Sequence, residues 1–192
     1  MSSYTLTVTL AHIRPKIWRQ LRVPGHFTLG QLHDVLQVAF EWQDRHLHDF
    51  EVGAQHYGAC HPDDERELSD EDDFTVAQAL PHKSSTIRYI YDLGDAWIHN
   101  ITVDDIEDEP PTHRARSLSS RGPTSSVACL AGARAAPPES CGGPFAYLEF
   151  VEAISSPAHP RHDELLEWIG GMFDPEEFSL REINEGLARF RD

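Results

Sequence analysis

Residues Tyr89 to Val103 read Tyr-Ile-Tyr-Asp-Leu-Gly-Asp-Ala-Trp-Ile-His-Asn-Ile-Thr-Val, and no other stretch of the chain restricts the fold as tightly. Ile87, Tyr89 and Tyr91 fall on one face of an incoming strand, with Arg88, Ile90 and Asp92 on the other. Trp97, His99, Ile101 and Val103 share one face of an outgoing strand. A period of two over both runs specifies an antiparallel pair with one buried side. Gly94, flanked by Asp92 and Asp95, stands where a short loop most readily takes a positive φ. His99 is thereby placed on the apolar face, close to the turn. It is either a core histidine bonded to a neighbour or a ligand, because imidazole is the commonest metal ligand and titrates near neutrality.

The rest of the chain supplies partners for this hairpin. Leu6, Val8 and Leu10 alternate with threonines. Ile17, Leu21 and Val23 follow beyond a turn at His12 to Lys16, with Arg19 interrupting the apolar face. Thr28 with Gln31 is a capping box, and Leu29, Leu32, Leu36 and Phe40, with Val35 and Ala39, form one helical stripe. His46, His48, Phe50 and Val52 share one face of a further strand. A short partner strand, an acidic loop from Cys60 to Asp73 and a short helical patch at Val76 to Leu80 come next.

Pro110 to Ser126 is rich in Pro, Ser, Arg and Gly and reads as a mobile loop. The segments around Cys129 to Gly132 and Ala136 to Pro144 read as irregular and turn-rich. Helices then follow, with Phe145, Leu148 and Val151, with Leu165, Leu166, Trp168 and Ile169, and with Ile183, Leu187 and Phe190 as their apolar stripes. The second ends at Gly170-Gly171 and the third opens on a Ser179/Glu182 capping box. The elements predict an α+β fold: an N-terminal β-grasp-like mixed sheet with one main helix, then a helical C-terminal third packed on the sheet. The 192 residues are expected to form one domain, with 1–109 sheet-rich, 110–128 a flexible loop and 129–192 helical.

Composition narrows the function classes. The net charge of −16 comes from 32 acids against 16 lysines plus arginines, which argues against a nucleic-acid partner because such binding rests on neutralising phosphates. The charge is uneven. Residues 1–33 and 110–138 hold no acid, whereas Asp63 to Asp73 and Asp104 to Glu109 are almost wholly acidic and read as solvated loops. No apolar run approaches the ~20 residues of a membrane span, and no signal pattern opens the chain. Cys60, Cys129 and Cys141 are an odd, sparse set that fits a reducing cytoplasm better than a disulfide framework.

Several motifs in order carry a resemblance. They are Arg14-Pro15-Lys16-Ile17-Trp18-Arg19, Leu32-His33-Asp34-Val35-Leu36-Gln37, and Trp42 with His46-Leu47-His48. Tyr91-Asp92-Leu93-Gly94-Asp95 with Trp97 and His99, Pro137-Pro138-Glu139-Ser140-Cys141-Gly142-Gly143-Pro144, and Phe173-Asp174-Pro175 complete the set. On these the chain resembles the plasmid pRiA4b ORF-3-like family, some of whose members are labelled passenger proteins of insertion elements. The resemblance implies an α+β architecture and a plasmid or mobile-element setting, and it carries no activity with it. Two positions depart from the family pattern: Ala136 stands where a cysteine is common, and Leu93 where phenylalanine is frequent. The resolvase label of some relatives finds no support, since no nucleophilic serine amid clustered arginines and no DNA-binding helix pair is visible.

Two constellations carry the site expectations. His46 and His48 from one strand, with Asp92, Asp95 and His99 from the hairpin, would suit a divalent metal such as zinc, with Asp92 or Asp95 as ligand or catalytic base. The bland alternative has the aspartates capping the turn and the histidines bonded at the rim. Cys129, Cys141, His159 and His162 have the ligand types of structural zinc but no familiar spacing. No nucleophile elbow or phosphate-binding glycine loop is present. The sequence therefore points first to a cytoplasmic binding module for a protein or small-molecule partner. A divalent-metal-dependent, hydrolase-like enzyme comes second and a nucleic-acid-associated protein third.

Overall fold

The structure is a computed structural model and describes residues 2–59, 67–108 and 127–190. Eight strands form one sheet: β1 (Ser2–Leu10), β2 (Trp18–Pro24), β3 (His48–Val52), β4 (Gln55–Gly58), β5 (Ser69–Asp70), β6 (Thr86–Tyr91), β7 (Trp97–Asp108) and β8 (Ala128–Ala133). Their order is β5-β4-β3-β6-β7-β1-β2-β8. Neighbours run antiparallel except β4 and β5, which are parallel, so the sheet is mixed. The helices are α1 (Leu29–Ala39), α2 (Val76–Ala79), α3 (Gly143–Ser155), α4 (His162–Ile169) and α5 (Leu180–Leu187), so the fold is α+β with the later helices in the C-terminal part.

The hairpin is built as its alternation requires. Tyr89 stands opposite His99 and Tyr91 opposite Trp97, and Ile87, Tyr89, Tyr91, Trp97, His99, Ile101 and Val103 are all buried. The turn uses different residues from those expected. Positive φ falls on Asp92 (55°) and Ala96 (54°), and Gly94 is not among the residues that adopt it. Asp92 Oδ1 accepts from the N–H groups of Gly94 (3.0 Å) and Asp95 (3.2 Å), while Ala96 N–H closes on Asp92 O at 2.6 Å. An aspartate that bonds its own turn tolerates the left-handed region, which frees Gly94 from that role.

Helix α1 covers one face of the sheet. Both halves of its capping box form, with Thr28 Oγ1 accepting from Gln31 N–H and Gln31 Oε1 accepting from Thr28 N–H. Leu29, Leu32, Val35, Leu36 and Ala39 are fully buried, each leucine worth about 1.5–3 kcal/mol of transfer free energy. Asp72 comes down on its first turn, so close to Gly30 that a Cβ there would lie 2.5 Å from Asp72 Oδ1. A carboxylate at a helix N-terminus is favoured by the dipole.

Three further sequence expectations change, the first being the face of α3, which buries Tyr147, Phe150 and Ala153 and leaves Phe145 and Leu148 of the expected stripe exposed. Ala128–Ala133 is strand β8, paired with β2, where an irregular segment was expected. Its small residues do not alternate in hydropathy, and they are required by close packing: a Cβ on Gly132 would stand 2.5 Å from the Phe178 ring. Arg19 does not break the buried face of β2 but belongs to it, fully buried between the Phe40 and Phe178 rings at 5.1 and 4.9 Å. The acid-poor loop expected at Pro110 to Ser126, Cys60 and residues 61–66 of the acidic loop lie outside the described residues.

Candidate functional site

The buried side of the hairpin gathers the histidines around Tyr89 and Tyr91, but it does not bring the five expected residues to one point. His99 is the deepest. Its ring is fully buried, edge-on to Phe40 (4.7 Å) and Trp42 (5.0 Å), with Nδ1 3.2 Å from Tyr89 O and Nε2 without a partner. Burial pushes its pKa down to about 3, so the imidazole is neutral at pH 7. His99 is thus sealed beneath aromatic rings.

His48, the first residue of β3, stacks on His33 of α1 with ring centroids 3.6 Å apart and planes 10° from parallel. Its Nε2 shares a 2.7 Å hydrogen bond with the buried carboxylate of Glu71. His33 belongs to a closed ring of bonds. Asp44 N–H donates to Gln37 Oε1 (2.8 Å), which fixes the amide, and Gln37 Nε2 donates to the Tyr89 hydroxyl (2.9 Å). That hydroxyl is left to donate to His33 Nδ1 (2.8 Å), so His33 carries its proton on Nε2, 3.1 Å from Asp44 Oδ1. The tautomer is assigned by this network. Burial, and then the His48 charge, lower the His33 pKa, while burial holds the Tyr89 hydroxyl protonated.

Among the described residues, His33, Asp44 and His48 form a group of metal-capable side chains with ligand atoms within 4.8 Å of one another. The residue types suit zinc. The arrangement resists it on two counts. Imidazole lone pairs lie in the ring plane, and two rings stacked 3.6 Å apart do not aim theirs at one point. The His33 nitrogen nearest Asp44 already carries the proton that the Tyr89 bond demands.

His46, just before β3, lies between two carboxylates, with Nδ1 3.5 Å from Asp92 Oδ2 and Nε2 3.4 Å from Glu139 Oε2. Glu139 Oε1 also accepts from Gln43 N–H (2.9 Å) and the Tyr91 hydroxyl (3.0 Å), fastening the β8–α3 loop to the sheet. Burial raises the Tyr91 pKa to about 12. Asp95 holds the same loop: Oδ2 accepts from Gly142 N–H at 2.8 Å, and Gly143 packs on the Asp95 carbonyl. Asp92 and Asp95 are therefore placed as turn and loop clamps, with His46 at the polar rim.

The second constellation does not assemble. Cys129 lies on β8, where its N–H donates to Asn184 Oδ1. Cys141 stands beside Asp95, its thiol pushed up to about 12 by burial and that carboxylate. His162 bonds Ala153 O (2.8 Å), and His159 Nδ1 accepts from Arg161 N–H. Cys129, His159 and His162 each bond a different neighbour, and among the described residues the four do not form a metal-capable group.

Sequence reasoning passed over His33, Asp44, Glu71 and Glu139. His33 and Gln37 sit four residues apart on the buried flank of α1, and two polar residues at that spacing beside an apolar stripe are a readable signal. Glu71 was hidden in an acidic run that reads as solvated loop. Next to the Glu139 rim, the α1 C-terminus, the β8–α3 loop and α4 enclose a groove of about 460 Å³ whose walls include Glu41, Trp42, Trp168, Phe173 and Glu177.

These features define a class: an α+β protein with an eight-stranded mixed sheet whose buried face sequesters histidine–carboxylate pairs, and in whose described residues no helix is long and apolar enough to cross a membrane. The family follows from comparison. The chain belongs to the plasmid pRiA4b ORF-3-like proteins, whose family model matches residues 2–182. It is 33% identical over 191 residues to the uncharacterized protein y4hQ of Sinorhizobium fredii (strain NBRC 101917 / NGR234), covering 95% of this chain and 89% of the relative. The crystal structure of a protein of unknown function, MM3350 from Methanosarcina mazei Go1, superposes with a TM-score of 0.78 at 30% identity, over 94% of this chain and 97% of that one.

Proposed function

We propose that this chain is a binding module that takes its ligand, a protein or small molecule, in the groove beside the Glu139 rim. One contrast carries the reading. The histidines of the buried face are partnered or sealed by Phe40, Trp42, Tyr89, Asp44 and Glu71. In the groove, by contrast, Trp168 is 47% exposed and the carboxylates of Glu41 and Glu177 have no hydrogen-bond or ion-pair partner among the described residues. Surface that is apolar, concave and unsatisfied is what a partner completes. A cytoplasmic setting is part of this proposal and is supported by the free thiols of Cys129 and Cys141. Association with plasmids or mobile elements rests on the family description. The net charge of −16 and the acidic groove speak against nucleic acid.

A metal-dependent enzyme is the competing reading, favoured by the proximity of His33, Asp44 and His48 and tested directly by elemental analysis. Untagged protein purified without chelator should carry only trace metal, and its melting temperature should not change with EDTA. Near-stoichiometric zinc, manganese or iron, lost together with stability on chelation, would sink the module reading in favour of the enzyme.

A further inference from the structure

We propose that the groove between the α1 C-terminus and α4 accepts an arginine-bearing segment of a partner protein, an inference that rests on the binding-module reading and names its ligand.

Glu41 is the first argument. It follows Phe40, the C-cap of α1, with φ 57°, and the helix end is closed by Glu41 N–H to Val38 O (3.2 Å) and Trp42 N–H to Gln37 O (2.9 Å). A residue other than glycine in the left-handed region is uncommon. A carboxylate just beyond a helix C-terminus also faces the negative end of the dipole. Those backbone bonds account for the positive φ, whereas the Glu41 carboxylate has no hydrogen bond or ion pair among the described residues and acts only through the field it exerts on buried Arg19.

The second argument is charge. Glu41, Glu139 and Glu177 line the groove, and no lysine or arginine does. Glu139 is held by Gln43 and Tyr91, so the two unpaired carboxylates are those of Glu41 and Glu177. The lining also includes aromatic residues: Trp42, buried and stacked on Tyr91 at 4.6 Å, the exposed Trp168, and Phe173. Carboxylates beside indole faces match a guanidinium, which stacks on an aromatic plane and offers forked N–H donors to carboxylates. The ammonium of lysine, a compact and strongly hydrated charge, uses the aromatic wall less well.

The third argument separates a protein from a free small cation. Met172, next in sequence to the groove-lining Phe173, is 99% exposed. An unpartnered methionine adjoining an aromatic groove is suited to adaptable contact with a macromolecule.

The test uses the full chain and follows intrinsic tryptophan fluorescence, with Trp168→Phe showing which part of the change comes from Trp168, since Trp18, Trp42 and Trp97 also emit. The probes are a flexible Gly/Ser peptide with interspersed arginines, the same peptide with glutamates instead, and arginine amide. The arginine peptide should give a saturable change, the glutamate peptide none, and arginine amide a much weaker one. Glu41→Gln with Glu177→Gln should weaken the arginine peptide at least about tenfold. Both side chains are exposed and unpaired, so the melting temperature of this variant should match the wild type. No saturable response to the arginine peptide, an unchanged affinity in the Gln variant, or equal binding of the glutamate peptide would overturn the proposal. Arginine amide binding as tightly as the peptide would assign a small-cation site in its place. A neutral or acidic protein ligand whose binding needs Trp168 but neither Glu41 nor Glu177 would overturn the arginine occupant and leave the binding-module reading standing. Near-stoichiometric metal would remove that reading itself.

Discussion

His99 sits where the alternation of β7 puts it, and its chemistry follows from what closes over it. An imidazole enclosed by Phe40, Trp42 and Tyr89 has no carboxylate among the described residues to receive a charge, and burial opposes its protonation. The folded pKa of about 3 lies below the ~6.5 of an unfolded histidine. The unfolded chain therefore binds the extra proton first as pH falls. The stability due to neutral His99 is complete above about pH 6.5 and is lost progressively from there down to about pH 3, at up to about a tenfold change in the folding equilibrium per pH unit. Urea midpoints between pH 7.5 and 5 should show this acid arm, and His99→Leu should flatten it. An equally steep arm in the variant would mean that the sensitivity belongs elsewhere. His99→Ala is a different experiment: it opens a cavity under two aromatic rings and should cost about 2–4 kcal/mol, which excludes a merely superficial role.

At the scale of elements, the decisive junction is between the hairpin turn and the loop that ends in α3. Gly143 has φ 82°, and a Cβ on it would stand 2.7 Å from Asp95 O, a backbone atom that cannot move aside. Gly53, in the β3–β4 turn, has φ 64° but open space around it. Gly53→Ala should therefore cost only the left-handed penalty, about 1 kcal/mol, while Gly143→Ala adds a clash and should cost clearly more. Equal melting temperatures for the two variants would show that the loop does not depend on the Asp95 contact.

The same junction shows what could be read from the chain. The hairpin, α1 and its capping box were legible because period and cap chemistry are local. Asp92 and Asp95 were legible as turn residues. The attachment of Glu139 to Gln43, the burial of Glu71 against His48 and the strand nature of β8 were not, because each is imposed by a segment distant in sequence. The proposed groove was hidden for the same reason, being assembled from α1, the β8–α3 loop and α4.

For the molecule as a whole, charge is the strongest influence that individual contacts do not display. A net charge of −16 on 192 residues disfavours the compact state through self-repulsion. Opposing it are exposed ion pairs such as Arg161 with Glu149 and Glu164, Arg181 with Glu185, and Lys83 with Asp105. Pairs of that kind are each worth about 0–1 kcal/mol and are screened together with the repulsion. Repulsion acts among many like charges over long distances, so a Debye length falling from about 30 Å at 0.01 M salt to about 8 Å at 0.15 M removes more repulsion than attraction. Sodium chloride added over that range should raise the melting temperature by several degrees, since about 1 kcal/mol corresponds to about 2–4 °C at this size. The same addition should weaken an arginine ligand in the groove, because that attraction lies between opposite charges at a solvent-open site. Salt thus moves stability and binding in opposite directions. A melting temperature that fell with salt would mean that the surface pairs outweigh the net charge.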